Sequence, residues 1–227
     1  MAEIAVSVLD VEEENAVSYF YNIETAKIDY FHIDVMDGKF VEKNNVDQMK
    51  DYALKIHNIS MTPIDVHLMV ENPREYFDDF IDQGADRISF HIEACKDKDE
   101  AMSNIKYLVA NGVKASIAIN PDTTIEMLYD FLPYIHMVLI MSVVPGKGGQ
   151  KFIPGTDKKI CELRKYCEDN NIDIDIEVDG GINNMTCRDA TSSGATILVA
   201  GNYILSSDNY SEAVRDLKEE YIEREGE

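Results

Sequence analysis

Residues 32–38 read HIDVMDG, which places a histidine, two aspartates and a methionine in a segment otherwise typical of a buried strand. The segment overlaps a longer apolar run, YFHIDV at 30–35, and seven further short runs of this kind recur along the chain. They are IAVSVL at 4–9, IDVHLMV at 64–70, RISFHI at 87–92, KASIAI at 114–119, MVLIMSV at 137–143, DIEVD at 175–179 and TILVA at 196–200. The sequence therefore predicts eight strands.

Segments with helical spacing and a polar face separate these runs. They cover 11–24, 46–57, 73–83, 97–111, 123–132, 156–170, 184–193 and 208–223. One predicted helix thus follows each strand, and no linker rich in Pro, Gly or Ser interrupts the series. Eight β/α units in 227 residues favour one α/β domain over residues 1–227, a single (β/α)8 TIM barrel, rather than a doubly wound open sheet.

The charge balance of the chain restricts its partners. Its 21 Lys and Arg residues against 43 Asp and Glu residues give a formal net charge of −22, which repels nucleic acid and anionic membrane surfaces. The four cysteines lack a metal or disulfide spacing, no basic leader precedes the first apolar run, and no run reaches the ~18 apolar residues of a membrane span. We therefore expect a cytoplasmic protein that binds a small molecule, neither nucleic acid nor membrane. A homo-oligomer is compatible with the sequence.

Ionisable side chains recur at alternate positions near the carboxyl ends of the predicted strands, where active sites of this fold lie. Residues two positions apart on a strand face the same side, which gives four pairs: His32 with Asp34, Asp65 with His67, His91 with Glu93, and Glu177 with Asp179. One such histidine alone is usually a hydrogen-bonded core group, and an Asp before glycine is often a turn former. Several buried charges together need pairing or a cation. Two imidazoles and two carboxylates without thiolate suit one divalent Zn, Mn, Co or Fe ion.

Glycine-bearing turns follow the last three predicted strands. They are VPGKGGQ at 144–150, DGG at 179–181 and AGN at 200–202. Glycine allows backbone N–H groups to turn towards an anion, and the loops after the seventh and eighth strands are the usual phosphate site of this barrel. We therefore predict that the substrate carries a phosphate.

Eight motifs occur in order from Ser7 to Asn202: SVL, HIDVMDG, DVHLMV, HIEA, AINPDT, MSVVPGKGGQKFI, EVDGG and VAGN. In this order they resemble the ribulose-phosphate 3-epimerase family, including allulose-6-phosphate 3-epimerase. The resemblance implies a metal-dependent isomerase that inverts C3 of a ketose phosphate, converting D-ribulose 5-phosphate to D-xylulose 5-phosphate in the pentose phosphate pathway. Two alternatives stay open, namely interconversion of D-allulose 6-phosphate with D-fructose 6-phosphate, and a phosphosugar-binding barrel without turnover.

The resemblance also implies roles for individual residues. One divalent metal ion would be held by His32, Asp34, His67 and Asp179. Two of these, Asp34 and Asp179, match the proton-transfer groups. Because the second and seventh strands lie three positions apart round an eight-stranded ring, these carboxylates can approach a substrate from opposite sides.

Other matched positions contact the substrate. Ser7 and His67 match residues that touch the sugar. The phosphate cradle corresponds to amides in the three turns: Gly146, Lys147, Gly148, Gly149, Gly180, Gly181, Gly201 and Asn202. Three methionines match an apolar cap over the reacting carbons, although core filling accounts for them equally well: Met36, Met69 and Met141.

Departures from the family pattern fall in loops. After MDG the chain reads KFVEKNNVDQM, so Lys39 and Glu42 stand in place of the family's usual histidine and proline. Lys147 replaces an apolar or aromatic residue, and it is either a solvated loop tip or a cation over the phosphate. Glu93 and Glu177 have two interpretations as well, as groups that orient the histidines or as buried acids paired elsewhere.

Overall fold

The computed structural model describes residues 2–219, which form a closed barrel of eight parallel strands. The strands are β1 Glu3–Ser7, β2 Tyr30–Met36, β3 Ile64–Met69, β4 Arg87–His91, β5 Lys114–Ile119, β6 Met137–Met141, β7 Asp175–Asp179 and β8 Ile197–Val199. Neighbours in sequence pair in the sheet, and β1 pairs with β8 to close the ring. The predicted (β/α)8 TIM barrel is confirmed, and each strand overlaps one of the eight predicted runs.

Helices connect the strands on the outside. They are α1 Ala16–Thr25, α2 Val46–Ile59, α3 Phe77–Asp82, α4 Lys98–Ala110, α5 Thr156–Asp169, α6 Thr186–Ser192, α7 Asn202–Leu205 and α8 Tyr210–Glu219. Within residues 2–219, no helix combines the length and the apolarity that crossing a membrane requires. The predicted end of the last helix at residue 223, like both ends of the predicted 1–227 domain, lies outside the described residues.

The predicted helix at 123–132 was wrong. Two short 3-10 helices, Ile125–Leu128 and Leu132–Tyr134, stand there instead. Pro133 lies in the second of these and prevents an α-helix there, because it has no N–H to donate to an α-helical ladder and its ring obstructs the preceding turn. The turns still bury Ile125, Leu128 and Leu132 against the barrel, which explains the apolar spacing of the sequence.

Alternate strand residues face opposite sides of the barrel wall. The outward set, represented by Ile33, Val66 and Leu68, joins the apolar core between strands and helices. Because parallel strands are covered on both faces, their sequences read as nearly continuous apolar runs.

Apolar and ionisable side chains occupy different parts of the barrel interior. Apolar side chains of β1, β5, β6 and β8 form one buried cluster, which includes Ala5, Leu139 and Ile197. Strands β2, β3, β4 and β7 contribute buried ionisable groups instead: His32, Asp34, Asp65, His67, Arg87, His91 and Glu177. The fold therefore concentrates buried charge along one part of the barrel interior.

Candidate active site

A cavity of about 310 Å³ opens at the carboxyl ends of the strands. Its lining contains all the predicted site residues except two: Ser7, Asp34, Met36, Met69, Met141, Gly146, Lys147, Gly148, Gly149, Asp179, Gly180, Gly181, Gly201 and Asn202. The two exceptions, His32 and His67, are fully buried. Both lie directly beneath the cavity, where a ring nitrogen of each is close to the carboxylate of Asp34. The structure thus brings the predicted ligands, both carboxylates and all three glycine turns to one place.

His32, Asp34, His67 and Asp179 form one compact group of donor atoms. One donor atom from each lies within 4.8 Å of the others. In the sheet, Asp34 on β2 stands beside His67 on β3, and its Oδ1 lies 3.1 Å from His67 Nδ1 and 3.4 Å from His32 Nε2. The Oδ2 of Asp179 lies 3.7 Å from the same His67 nitrogen.

The chemistry of this group fits a divalent cation. His32 Nε2 is buried and has no hydrogen-bond partner, although buried polar atoms of folded proteins are almost always satisfied. A buried imidazole nitrogen beside two carboxylates is the arrangement that a metal ion satisfies once the nitrogen has lost its proton, and two nitrogen with two oxygen donors suit zinc and related ions. The four residues therefore could hold a metal ion.

The two cavity carboxylates have opposite pKa shifts. Burial alone would raise the pKa of Asp34, but the neighbouring His32 and His67 lower it well below its usual range. For Asp179, burial and the negative charge of Asp34 raise the pKa to about 7. Paired titratable groups whose pKa values are separated by their surroundings are typical of acid–base sites.

His32 is oriented by a buried chain of polar groups. Its Nδ1 lies 2.7 Å from Asp65 Oδ2, and Arg87 Nε donates to Asp65 Oδ1 over 2.9 Å. A carboxylate accepts but does not donate, so Nδ1 carries the proton and Nε2 faces Asp34. Neither the pairing of Asp65 with His32 nor the part of Arg87 was predicted from the sequence. Their inward parity, shared with His67 and His91, was the available signal.

The two glutamates differ in their contacts. Glu177 Oε1 is 3.9 Å from His32 Nδ1, beyond hydrogen-bond distance, so Asp65 rather than Glu177 orients that histidine. Both Glu177 oxygens lack a hydrogen bond, and burial together with Asp65 raises the pKa of this carboxyl well above its usual range. Glu93 Oε2 lies 3.1 Å from His91 Nδ1 and therefore orients a histidine that is not one of the four predicted ligands.

The glycine turns contain two adjacent residues with positive φ, Gly180 at 121° and Gly181 at 64°. Phe152 lies in the loop between β6 and α5. A Cβ atom on Gly181 would lie 2.3 Å from the backbone N of Phe152. Only glycine allows these two loops to approach so closely at the cavity rim. The lysine between Gly146 and Gly148, Lys147, is exposed at the same rim.

Gly181→Ala is expected to lower the free energy of unfolding by about 2–4 kcal/mol, because it adds both backbone strain and overlap with Phe152. Gly112 is the matched control, since its φ is 80° and a Cβ there meets nothing within 4 Å. Gly112→Ala should therefore cost only the backbone strain, about 1–2 kcal/mol. Chemical denaturation of both variants measures the difference, and equal losses would contradict the close-approach argument.

The altered loop, residues 37–45 between β2 and α2, carries the departures at Lys39 and Glu42 and is attached to the site by Asn45. Its side chain accepts from Met36 N over 2.8 Å and donates to the Asp34 carbonyl over 2.9 Å. Lys39, by contrast, is exposed and pairs with Glu71 at 3.8 Å on the surface. The departure at Lys39 therefore lies away from the cavity lining, whereas buried Asn45 supports the end of β2.

Residues 3–205 match the Ribulose-phosphate 3 epimerase family. The chain is 37% identical over 223 residues to the ribulose-phosphate 3-epimerase of Methanocaldococcus jannaschii, covering 98% of this chain and 92% of that protein. It is 41% identical over 192 residues to the ribulose-phosphate 3-epimerase of Chlamydia pneumoniae, covering 82% of this chain and 80% of that protein.

Solved structures with the same architecture are more distant in sequence. The tryptophan synthase α-subunit of Pyrococcus furiosus superposes with a TM-score of 0.69 at 13% identity, over 96% of this chain and 97% of that chain. The 3-hexulose-6-phosphate synthase of Salmonella typhimurium gives 0.68 at 13% identity, over 96% and 97%. These likenesses show the fold alone. The sequence matches, by contrast, extend over nearly the whole chain, and the chain belongs to the ribulose-phosphate 3 epimerase family.

Proposed function

We propose that the protein is an isomerase that interconverts D-ribulose 5-phosphate and D-xylulose 5-phosphate by inversion at C3. Family membership supports this reaction, and so do the names of the relatives in Methanocaldococcus jannaschii and Chlamydia pneumoniae. The observation that carries the proposal is the convergence of Asp34 and Asp179 in a cavity that also contains three glycine turns.

The two carboxylates would transfer the protons. Inversion requires removal of a proton from one face of C3 and delivery of another to the opposite face. Asp34 and Asp179 come from β2 and β7, which are separated by β1 and β8 in the ring. Ser7 Oγ donates to Asp34 Oδ2 over 2.7 Å and fixes that carboxylate. Without a metal ion, burial and the negative charge of Asp34 raise the pKa of Asp179, so the two carboxylates are not equivalent.

One divalent ion, Zn, Mn, Fe or Co, would be held by His32, Asp34, His67 and Asp179. When bound, such an ion supplies Lewis-acid stabilisation of the negative charge that develops on the substrate oxygens. Elemental analysis of protein purified without chelator tests the site. We expect about one transition-metal ion per chain and loss of turnover after its removal, whereas full activity of metal-free protein would contradict the assignment.

The glycine turns would bind the phosphate through backbone N–H groups, and the three cavity methionines would cover the reacting carbons: Met36, Met69 and Met141. Initial rates with D-ribulose 5-phosphate and D-allulose 6-phosphate, measured side by side, test the choice of substrate. We expect the pentulose phosphate to have the larger kcat/KM. A larger value for the hexulose phosphate, or binding of either sugar without turnover, would overturn the proposal.

Lys147→Met is expected to raise KM with little change in kcat, because an ammonium over the phosphate stabilises ground and transition states alike. The defect should shrink as salt rises, since exposed charges are screened over about 10 Å at 0.1 M ionic strength. Lys151→Met is the matched control, because Lys151 is exposed nearby but does not line the cavity. An unchanged KM for Lys147→Met at low salt would show that the side chain faces water.

A further inference from the structure

His67 makes contacts through both nitrogens of its ring. Its Nδ1 faces the carboxylates of Asp34 and Asp179 at 3.1 and 3.7 Å. Its Nε2 lies 2.9 Å from Nε2 of His91, and both histidines are fully buried. Two ring nitrogens at this distance form a hydrogen bond only when one carries a proton and the other presents a lone pair.

The contacts of His91 decide which nitrogen accepts. Its Nδ1 lies 3.1 Å from Glu93 Oε2. The other oxygen of Glu93 accepts from Asn120 N over 2.8 Å and from the Thr123 hydroxyl, so the carboxylate is held in place by the loop after β5. An ionised carboxylate only accepts, so Nδ1 of His91 donates to it. The Nε2 atom of neutral His91 then carries a lone pair, which is directed at Nε2 of His67.

The aromatic ring of Phe40, in the altered loop, packs against His91. The Phe40 ring lies 4.8 Å from the His91 ring, centroid to centroid, with an angle of 43° between their planes. Phe40 is itself held at the start of the loop, because its backbone N donates to Asp37 Oδ1 over 2.9 Å. Because both imidazoles are fully buried, their contact is shielded from bulk solvent, which favours one fixed proton position.

We propose that His91, supported by Glu93, is a positioning residue that accepts a hydrogen bond from the Nε2–H group of His67 and so leaves His67 Nδ1 free to bind the divalent cation. The inference deepens the metal site of the proposed function and rests on it. The two histidine ligands then have different donor atoms. The hydrogen bond from His32 Nδ1 to Asp65 leaves Nε2 of His32 free, whereas the hydrogen bond from His67 Nε2 to His91 leaves Nδ1 of His67 free. Partners of this kind typically contribute 10–100-fold to metal affinity.

Two substitutions separate this role from simple packing. His91→Leu fills the space but removes the acceptor, whereas His91→Gln retains an amide oxygen that can accept from His67. We expect Zn²⁺ affinity, measured by competition with a chromophoric chelator, to fall about 10–100-fold in His91→Leu and to be largely retained in His91→Gln. Wild-type affinity in His91→Leu would overturn the inference, as would equal losses in the two variants.

The proton position itself is measurable in the Zn²⁺-loaded protein. Long-range ¹H–¹⁵N spectra of imidazole-labelled protein distinguish the two nitrogens, and we expect His67 to carry its proton on Nε2 with Zn²⁺ on Nδ1. Zn²⁺ bound with the opposite arrangement would overturn this inference and leave the metal site standing. Failure of the wild-type protein to bind Zn²⁺ would overturn the metal site and this inference together.

Discussion

Asp34→Asn and Asp179→Asn are each expected to reduce kcat by about 10²–10⁴-fold, the range that a positioned acid–base group contributes. Asparagine keeps the shape of the side chain but cannot accept a proton from C3. Asp169→Asn is the matched control, because Asp169 is exposed at the end of α5 and contacts only Lys165 among the described ion pairs. Steady-state assays of the three variants measure the effect.

Metal content must be measured in the same samples, because both aspartates are also proposed ligands. A slow variant that retains its metal supports the proton-transfer role directly. Wild-type turnover in either Asn variant would contradict the assignment of that residue, whatever its metal content.

Arg87→Met is expected to lower the free energy of unfolding by about 3–5 kcal/mol, the cost of breaking a buried ion pair on one side. Arg87 is almost fully buried, donates to Asp65 at 2.9 Å, and lies over the Tyr30 ring at 4.4 Å. Burial alone would raise the pKa of Asp65, but Arg87 lowers it well below its usual range, so removal of Arg87 leaves the buried carboxylate with the His32 hydrogen bond and without its arginine partner. Denaturant unfolding measures the loss.

Arg188→Met is the control for this substitution, because Arg188 is exposed on α6 and its loss should change stability by no more than about 0.5 kcal/mol. Adding Asp65→Asn to Arg87→Met should recover part of the loss, since no unpaired charge then remains. A loss below about 1 kcal/mol in Arg87→Met would show that Asp65 is compensated by other groups.

The fold was predictable because each strand of a parallel barrel is covered on both faces and reads as a short apolar run. The helix predicted at 123–132 failed because apolar spacing reports which residues are buried, and two 3-10 helices, Ile125–Leu128 and Leu132–Tyr134, bury the same residues. Periodicity alone does not distinguish the two when the segment is short.

The site was predictable to the extent that strand parity determines which side chains face inward. Parity does not determine which residue stands beside which, because that depends on the register between neighbouring strands. His32 lies opposite Asp65 in the register of β2 and β3, and Asp65 lies opposite Arg87 in that of β3 and β4. For this reason the sequence indicated a cluster of buried charges without giving the order Arg87, Asp65, His32.

Solvent deuterium incorporation at C3 tests the central claim most directly, because a two-base inversion exchanges the proton on one face as product forms. D-ribulose 5-phosphate is incubated with the enzyme in D₂O, and both epimers are examined by NMR early in the reaction. We expect D-xylulose 5-phosphate to carry deuterium at C3 while recovered D-ribulose 5-phosphate carries little. Equal early labelling of both epimers would contradict separate roles for Asp34 and Asp179, and product without deuterium would contradict delivery of a solvent-derived proton by a second group.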